Sequence, residues 1–217
     1  MGALAAYIPQ ATPHYPGLPE VEDLTVHLAA PVGLATVPHG LLRLEGSWLT
    51  SPGASAGTRG RSWPWKICAS PPSAYKYDDS HEVAKAILRY SANLGLDVVN
   101  YYELVLFSFL TGNADMHLKN LSLLHTPGLG YGLALAYDLA ATTFVNPADT
   151  EELALTLNGR KKKLKPADFQ QAAQRAGVTG KVLAGLFTRF TRVKPAWHRF
   201  IDDSFLSPEL RQCTTRC

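Results

Sequence analysis

Cysteine is scarce, and its placement supports no framework. Cys68, Cys213 and Cys217 are odd in number and offer no CxxC pair with a matching second pair. That argues against a disulfide scaffold and predicts a reducing, cytoplasmic setting. Long apolar runs are missing too. Leu104 to Leu110 is far too short to span a bilayer, so no membrane partner is expected. The opening MGALAAYIPQ lacks the basic region and long apolar stretch of a signal peptide. Excess charge is small, at +3, which permits attraction to phosphates but gives no case for direct nucleic-acid binding. There are no internal repeats, and His14, His27, His39, His81 and His125 show no metal-ligand spacing.

What remains is an ordinary globular composition in a chain of 217 residues, long enough to bury a real core. Residues 7–19 are punctuated by Pro and Gly and predict an extended loop. A helix follows from Glu20 to about Pro31, with Leu24 and Leu28 on its apolar face, and then a strand, Leu41 to Leu44, that ends in a tight turn at Glu45-Gly46. Residues 47–74 show neither periodicity and predict a long loop. Helical spacing resumes at His81 and stops at Asn93-Leu94-Gly95. Val98 to Leu110 is apolar nearly all round and predicts a core helix.

Leu121 to Leu124 and Leu133 to Tyr137 predict a hairpin around the glycine-rich turn Thr126 to Gly132. Leu153, Leu155 and Leu157 alternate as in a strand, and helices begin at Pro166 and Lys181. Gly128, Gly130 and Gly132 are better explained by the hairpin turn than by a nucleotide loop. The basic run Arg160 to Lys165 reads as a solvated turn, with a nucleic-acid patch as the lesser alternative.

The segment that carries chemistry is Gly112-Asn113-Ala114-Asp115-Met116-His117-Leu118-Lys119-Asn120. It sets polar and ionisable groups between an apolar helix and an apolar strand, where unpaired charge is costly. Asp115 and Asn120 keep the D-x-x-x-x-N interval of a protein-kinase catalytic loop. In that arrangement the carboxylate reaches a substrate hydroxyl, and the amide oxygen turns back to hold magnesium. Asp138 stands after the predicted hairpin, where kinases place a metal-binding Asp. Two carboxylates and an amide form a hard-oxygen set suited to Mg2+. The alternative is that these Asp and Asn residues are helix caps or turn residues.

FSFLTGNADMHLKNLSLL is similar to the G-N-x-D-x-H-x-K-N block of HipA-like serine/threonine kinases, and LALAYDLAAT resembles their metal-binding Tyr-Asp block. LPEVEDLTVHLAAPVGL, YKYDDSHEVAKAI and LALTLNGRKKKLKPADF are similar to further collinear segments of that family. The resemblance implies an α+β, predominantly helical fold, the C-terminal lobe of a protein-kinase-like structure with a small β-hairpin carrying the metal-binding Asp. It implies Asp115 as catalytic base, Asn120 and Asp138 as Mg2+ ligands, and ATP as cofactor. Lys119 and His117 neutralise phosphate charge or brace the loop. Glu22 is the candidate partner of a nucleotide lysine, or an ordinary acid in a first helical turn. The implied partners are a protein substrate such as an aminoacyl-tRNA synthetase and a small DNA-binding antitoxin.

The resemblance divides the chain into a remnant of the N-lobe and hinge (residues 1–46), an atypical segment (47–74) and a C-terminal lobe (75–217). Two departures stand against activity. The phosphate-binding loop and nucleotide lysine are expected upstream of Tyr7-Ile8-Pro9, where this sequence starts. The second is Trp63-Pro64-Trp65-Lys66-Ile67-Cys68, where the family has an Ala-Met-Glu-Asp-like helix start. The codon run CC-ATG-GAA-GAT-CTG-C reads Met-Glu-Asp-Leu in one frame and Pro-Trp-Lys-Ile-Cys in another. The segment is therefore expected to be frame-shifted or disordered. The alternative function is a truncated, inactive kinase-like fragment that at most binds a partner.

Overall fold

The structure, a computed structural model, describes residues 15–44, 47–52 and 79–214. Its centre is a buried helix that packs against the helix Ser80–Tyr90 and the strand Gly130–Leu133 and reaches two later helices through side chains. This is α3 (Leu94–Thr111), in which Tyr101, Tyr102, Val105, Leu106 and Phe107 are at most 1% exposed. Side chains buried on all faces leave no solvent stripe, as its sequence predicts. By length and composition α3 could cross a membrane, but most of it is buried inside this fold. Two of its buried polar groups tie it to later helices. Tyr102 donates to Ala172 O (2.8 Å), and Glu103 pairs with Arg189.

Before α3 come α1 (Leu18–Val32), an antiparallel pair β1 (His39–Leu44) and β2 (Ser47–Pro52), and α2 (Ser80–Tyr90). After it come the hairpin β3 (Leu123–Thr126) and β4 (Gly130–Leu133), then α4 (Pro166–Arg175), α5 (Gly180–Asp202) and α6 (Pro208–Thr214). α1 starts with Pro19 in its first turn and stops at Gly33, whose φ of 77° lets its N–H return to Ala29 and Ala30. Val21, Leu24, Leu28 and Val32 form its buried stripe. At roughly 1.5–3 kcal/mol per buried aliphatic side chain, that stripe is what docks the helix. α1 packs on α5, where Trp197 Nε1 donates to Leu28 O (2.8 Å).

Several expectations change. Ser47–Pro52, read as the start of a loop, pairs with β1 as a strand, Leu49 opposite Leu42. Main-chain pairing needs no alternation, and none is present there to be read. Asn93-Leu94-Gly95 does not close α2, which already ends at Tyr90. Leu94 instead opens α3, and only a short kink separates the two helices. That kink is held by Asp97, 5% exposed, which accepts from Ser91 Oγ (2.5 Å) and from Leu133 N on β4 (2.7 Å).

Leu153, Leu155 and Leu157 alternate inward as predicted, yet they build no ladder. Among the described residues, this segment forms the bridges Asp79–Thr156 and Leu157–Arg160 alone. α5 continues through Pro195 well past Arg192, and α6 has no counterpart in the sequence reading. Positive φ values at Gly128 and Gly130 fit the hairpin turn. The basic run is stitched to its surroundings, with Lys161 on Glu151 (3.2 Å), Lys162 on Thr150 (2.5 Å) and Arg160 on Asp168 (3.8 Å).

His39, at the start of β1, lies against α1 beside His27 and Asp23. These two histidines show no metal-ligand spacing along the sequence; the fold is what brings them together with Asp23. The turn at Glu45-Gly46, the N-terminal loop through residue 14, the segment 53–74 with its expected change of frame, and residues 215–217 lie outside the described residues.

Candidate active site

The site begins where α3 ends. Gly112 takes φ 71°, and its N–H closes on Phe109 and Ser108 carbonyls. The left-handed turn throws the chain across the end of α3, and a Cβ at Gly112 would lie 2.2 Å from Thr143 Oγ1. Glycine is therefore required twice, by backbone angle and by contact. Thr143 N donates to Gly112 O (3.1 Å) and Ala114 N to Thr142 Oγ1 (3.1 Å), so the loop is tied to the short 3-10 turn Thr142–Phe144.

Within the loop, Asn113 is 1% exposed and its Oδ1 accepts from Asp115 N (3.2 Å). Met116 is buried and its sulfur receives Ser108 Oγ (3.1 Å). These inward anchors leave the Asp115 side chain outside, 68% exposed, with His117 Nε2 at 3.9 Å from its carboxylate. Asn120, 5% exposed, donates Nδ2 to Asp115 O (3.2 Å). Its amide is thus fixed to the backbone of the residue five positions earlier, and Oδ1 remains as its donor oxygen. Lys119 is exposed, and its carbonyl accepts from Tyr137 Oη (2.9 Å).

Asp138 follows Tyr137 on the chain leaving β4. Tyr137 Oη also shares a 2.5 Å hydrogen bond with Ser122 Oγ, and Ala136 bridges Thr36 beyond α1. Asp138 itself has φ 56°, a left-handed angle that Asp tolerates better than most residues. Its carboxyl faces enough protein that desolvation, then repulsion from Asp115, raises its pKa, while His117 lowers it. Asp138 is thus within electrostatic reach of Asp115 and His117. Tyr137 is also pushed up, chiefly by burial.

Asp115 and His117 thus lie within electrostatic reach of Asp138, and Asn120 is bonded to Asp115 O, with Lys119 on the same loop. Glu22 lies apart from them in sequence, half-buried on α1. That helix reaches the site through Thr25, whose hydroxyl accepts from Ala141 N (3.0 Å).

The donor set fits a hard cation. The Asn120 amide oxygen, the Asp115 carboxylate and the Asp138 carboxylate are all hard oxygen donors, and burial, then repulsion from Asp115, raises the Asp138 pKa. Buried Asn113 Nδ2 and His117 Nδ1 have no hydrogen-bond partner among the described residues. Sequence reasoning passed over Asn113, Thr142, Thr143 and Thr25. The first sits inside the recognised block. The threonines carried no local signal, because their roles arise from contacts across the fold.

A family described as the HipA-like C-terminal domain matches residues 66–197. A curated protein of Sinorhizobium fredii named "Putative kinase Y4dM" is 32% identical over 88 residues, which take in 40% of this chain and 22% of that protein. Among solved structures, HipA of Shewanella oneidensis, determined with HipB and operator DNA, superposes with a TM-score of 0.70 at 17% identity. That match covers 93% of this chain and 54% of HipA. The Helicobacter pylori proinflammatory kinase CtkA gives 0.60 at 13% identity, over 92% of this chain and 82% of its own. The chain thus spans about half the length of HipA. At these identities the superpositions establish the α+β, kinase-like fold alone, whereas the family match spans more than half of the sequence. The protein belongs to the HipA-like C-terminal domain family.

Proposed function

We propose that this chain carries the catalytic and metal-binding lobe of a HipA-type serine/threonine protein kinase, the toxin of a toxin–antitoxin pair acting in the cytoplasm. The observation that carries the reading is the meeting of two loops. One closes α3 and the other leaves β4, and they bring Asp115, His117 and Asp138 into mutual electrostatic reach, with Asn120 clamped to Asp115 O.

Bound MgATP supplies the transferable γ-phosphoryl group and neutralises its charge. Asp115, exposed and unencumbered by the inward anchors of its loop, accepts the proton of a serine or threonine hydroxyl. Asn120 Oδ1 and the Asp138 carboxylate hold Mg2+. His117 and Lys119 offset negative charge beside the reacting oxygens or brace the loop. Glu22 is kept as the partner of a nucleotide lysine. Residues 1–46 are kept as the N-lobe and hinge portion and 75–217 as the C-lobe.

HipA of Shewanella oneidensis is found with HipB and operator DNA. This supports a small DNA-binding antitoxin as partner, with an aminoacyl-tRNA synthetase as the substrate class.

Calorimetric titration with ATP, with and without Mg2+, tests the proposal. Magnesium-dependent binding that Asp138→Asn abolishes supports it. Absence of binding at millimolar nucleotide by a folded sample supports the alternative of an inactive kinase-like fragment.

A further inference from the structure

A second group of ligating side chains lies on α1, apart from the loop that carries Asp115. Asp23 is 8% exposed, and no described residue donates a hydrogen bond to its carboxylate. Two imidazole nitrogens flank it. His27 Nδ1 lies 3.5 Å from Oδ2 and His39 Nε2 3.6 Å from Oδ1. The two nitrogens are 3.4 Å from each other. Contacts of 3.5–3.6 Å are too long for good hydrogen bonds, and a buried carboxylate left without them is costly. Yet ligands held at about 2.0–2.2 Å around one tetrahedral ion lie roughly 3.3–3.5 Å apart, close to the spacing here. One ligand atom from each of the three residues lies within 4.8 Å of the other two.

We propose that Asp23, His27 and His39 bind one late first-row divalent cation of the zinc class, which clips the start of β1 onto α1. Two imidazoles and a carboxylate favour such an ion over magnesium, whose hard-oxygen set lies in the Asp115 loop. The helix supplies Asp23 and His27 one turn apart on one face, and the chain returning after Gly33 delivers His39. Phe200 of α5 stands at 6.2 Å from the His27 ring and walls one side. His27 is 48% exposed, so a coordination position opens to solvent for water.

In the metal-free protein His27 Nδ1 lies 2.8 Å from Asp23 O, a bond that needs the proton on that nitrogen. Ion binding displaces this proton and turns the ring toward the carboxylate.

The test is titration of the chelator-stripped full chain with zinc chloride against a chromophoric competing chelator. One equivalent should bind, and zinc should raise the thermal midpoint. His39→Ala and His27→Gln should each weaken binding by at least about tenfold, given the losses seen when metal-site groups are removed. Cobalt(II) should show the intense visible bands of a low-symmetry site, lost in either variant. Asp138→Asn and His125→Ala should bind zinc as the unmodified chain does. His27 is half-exposed, so His27→Gln keeps the test valid if His39→Ala fails to fold. Zinc binding that is absent at micromolar metal, unchanged in both histidine variants, or lost in Asp138→Asn would overturn the proposal.

Discussion

Gly112 and Asp138 both lie in the left-handed region, but their side-chain demands differ. Gly112→Ala adds a Cβ that meets Thr143 Oγ1 and strains the backbone at once. We expect a loss of about 2–3 kcal/mol in urea unfolding, combining the strain of a non-glycine left-handed residue with the displaced contact. Asp138 has a folded-state pKa raised above its ordinary 3.8. Its ionisation therefore weakens the metal-free fold. The stability held below pH 3.8 is lost as pH rises through the folded value. Metal-free Asp138→Asn should thus be more stable than the unmodified chain at neutral pH. The difference is only about a few tenths of a kcal/mol, because solvent screens a partly exposed group. It should vanish in acid, and chemical denaturation across pH in chelator reads it directly. Adding Mg2+ should reverse the order, since only the carboxylate gains from the cation. Asp115→Asn, in contrast, should retain nucleotide binding and lose phosphoryl transfer, as measured by product formation.

Helices were the legible part of this fold. Periodicity located α1, α2, α3, α4 and the start of α5, since each is read from apolar spacing on its own chain. The sequence pattern also set Leu153, Leu155 and Leu157 on one face, but alternation reports burial and not pairing, so it could not tell an isolated extended segment from a ladder strand. β2 was missed for the converse reason, since its partner β1 supplies the pairing and Ser47–Pro52 carries no pattern of its own. At the candidate site, Asp115, Asn120 and Asp138 were legible as candidates from interval and block resemblance. Thr25 and Thr142 were not, because each acts on a residue far away in sequence.

The α3–α5 contact makes an element-scale prediction. Glu103, 6% exposed at its side chain, is pushed up in pKa by burial and pulled back by Arg189. Arg189→Leu leaves the carboxylate buried without its cation and should cost about 2–3 kcal/mol at neutral pH, somewhat below fully buried pairs because Arg189 is partly exposed. With the guanidinium gone, the folded pKa of Glu103 rises further. The penalty should then shrink as pH falls through that value, which thermal unfolding at several pH values measures.

At the scale of the molecule, α1 belongs with the helices at the far end of the chain. Trp197 joins it through Leu28 O, and its ring meets Phe107 and Phe190 at 6.0 Å. Trp197→Phe keeps an aromatic ring in place and removes only the N–H donor. It should lower stability by about 1 kcal/mol, the net worth of one such bond, with the far-ultraviolet circular dichroism unchanged.

The bond from Ala141 N to Thr25 Oγ1 joins residues 116 positions apart. On a ribosome adding about 5–20 residues per second, α1 therefore emerges on the order of ten seconds before its partner does. During that interval Val21, Leu24, Leu28 and Val32 have nothing of their own chain's later half to cover them. α1 is thus open to chaperones and proteases during synthesis. Substitutions in it should appear first as reduced yield of protein, and only afterwards as reduced turnover.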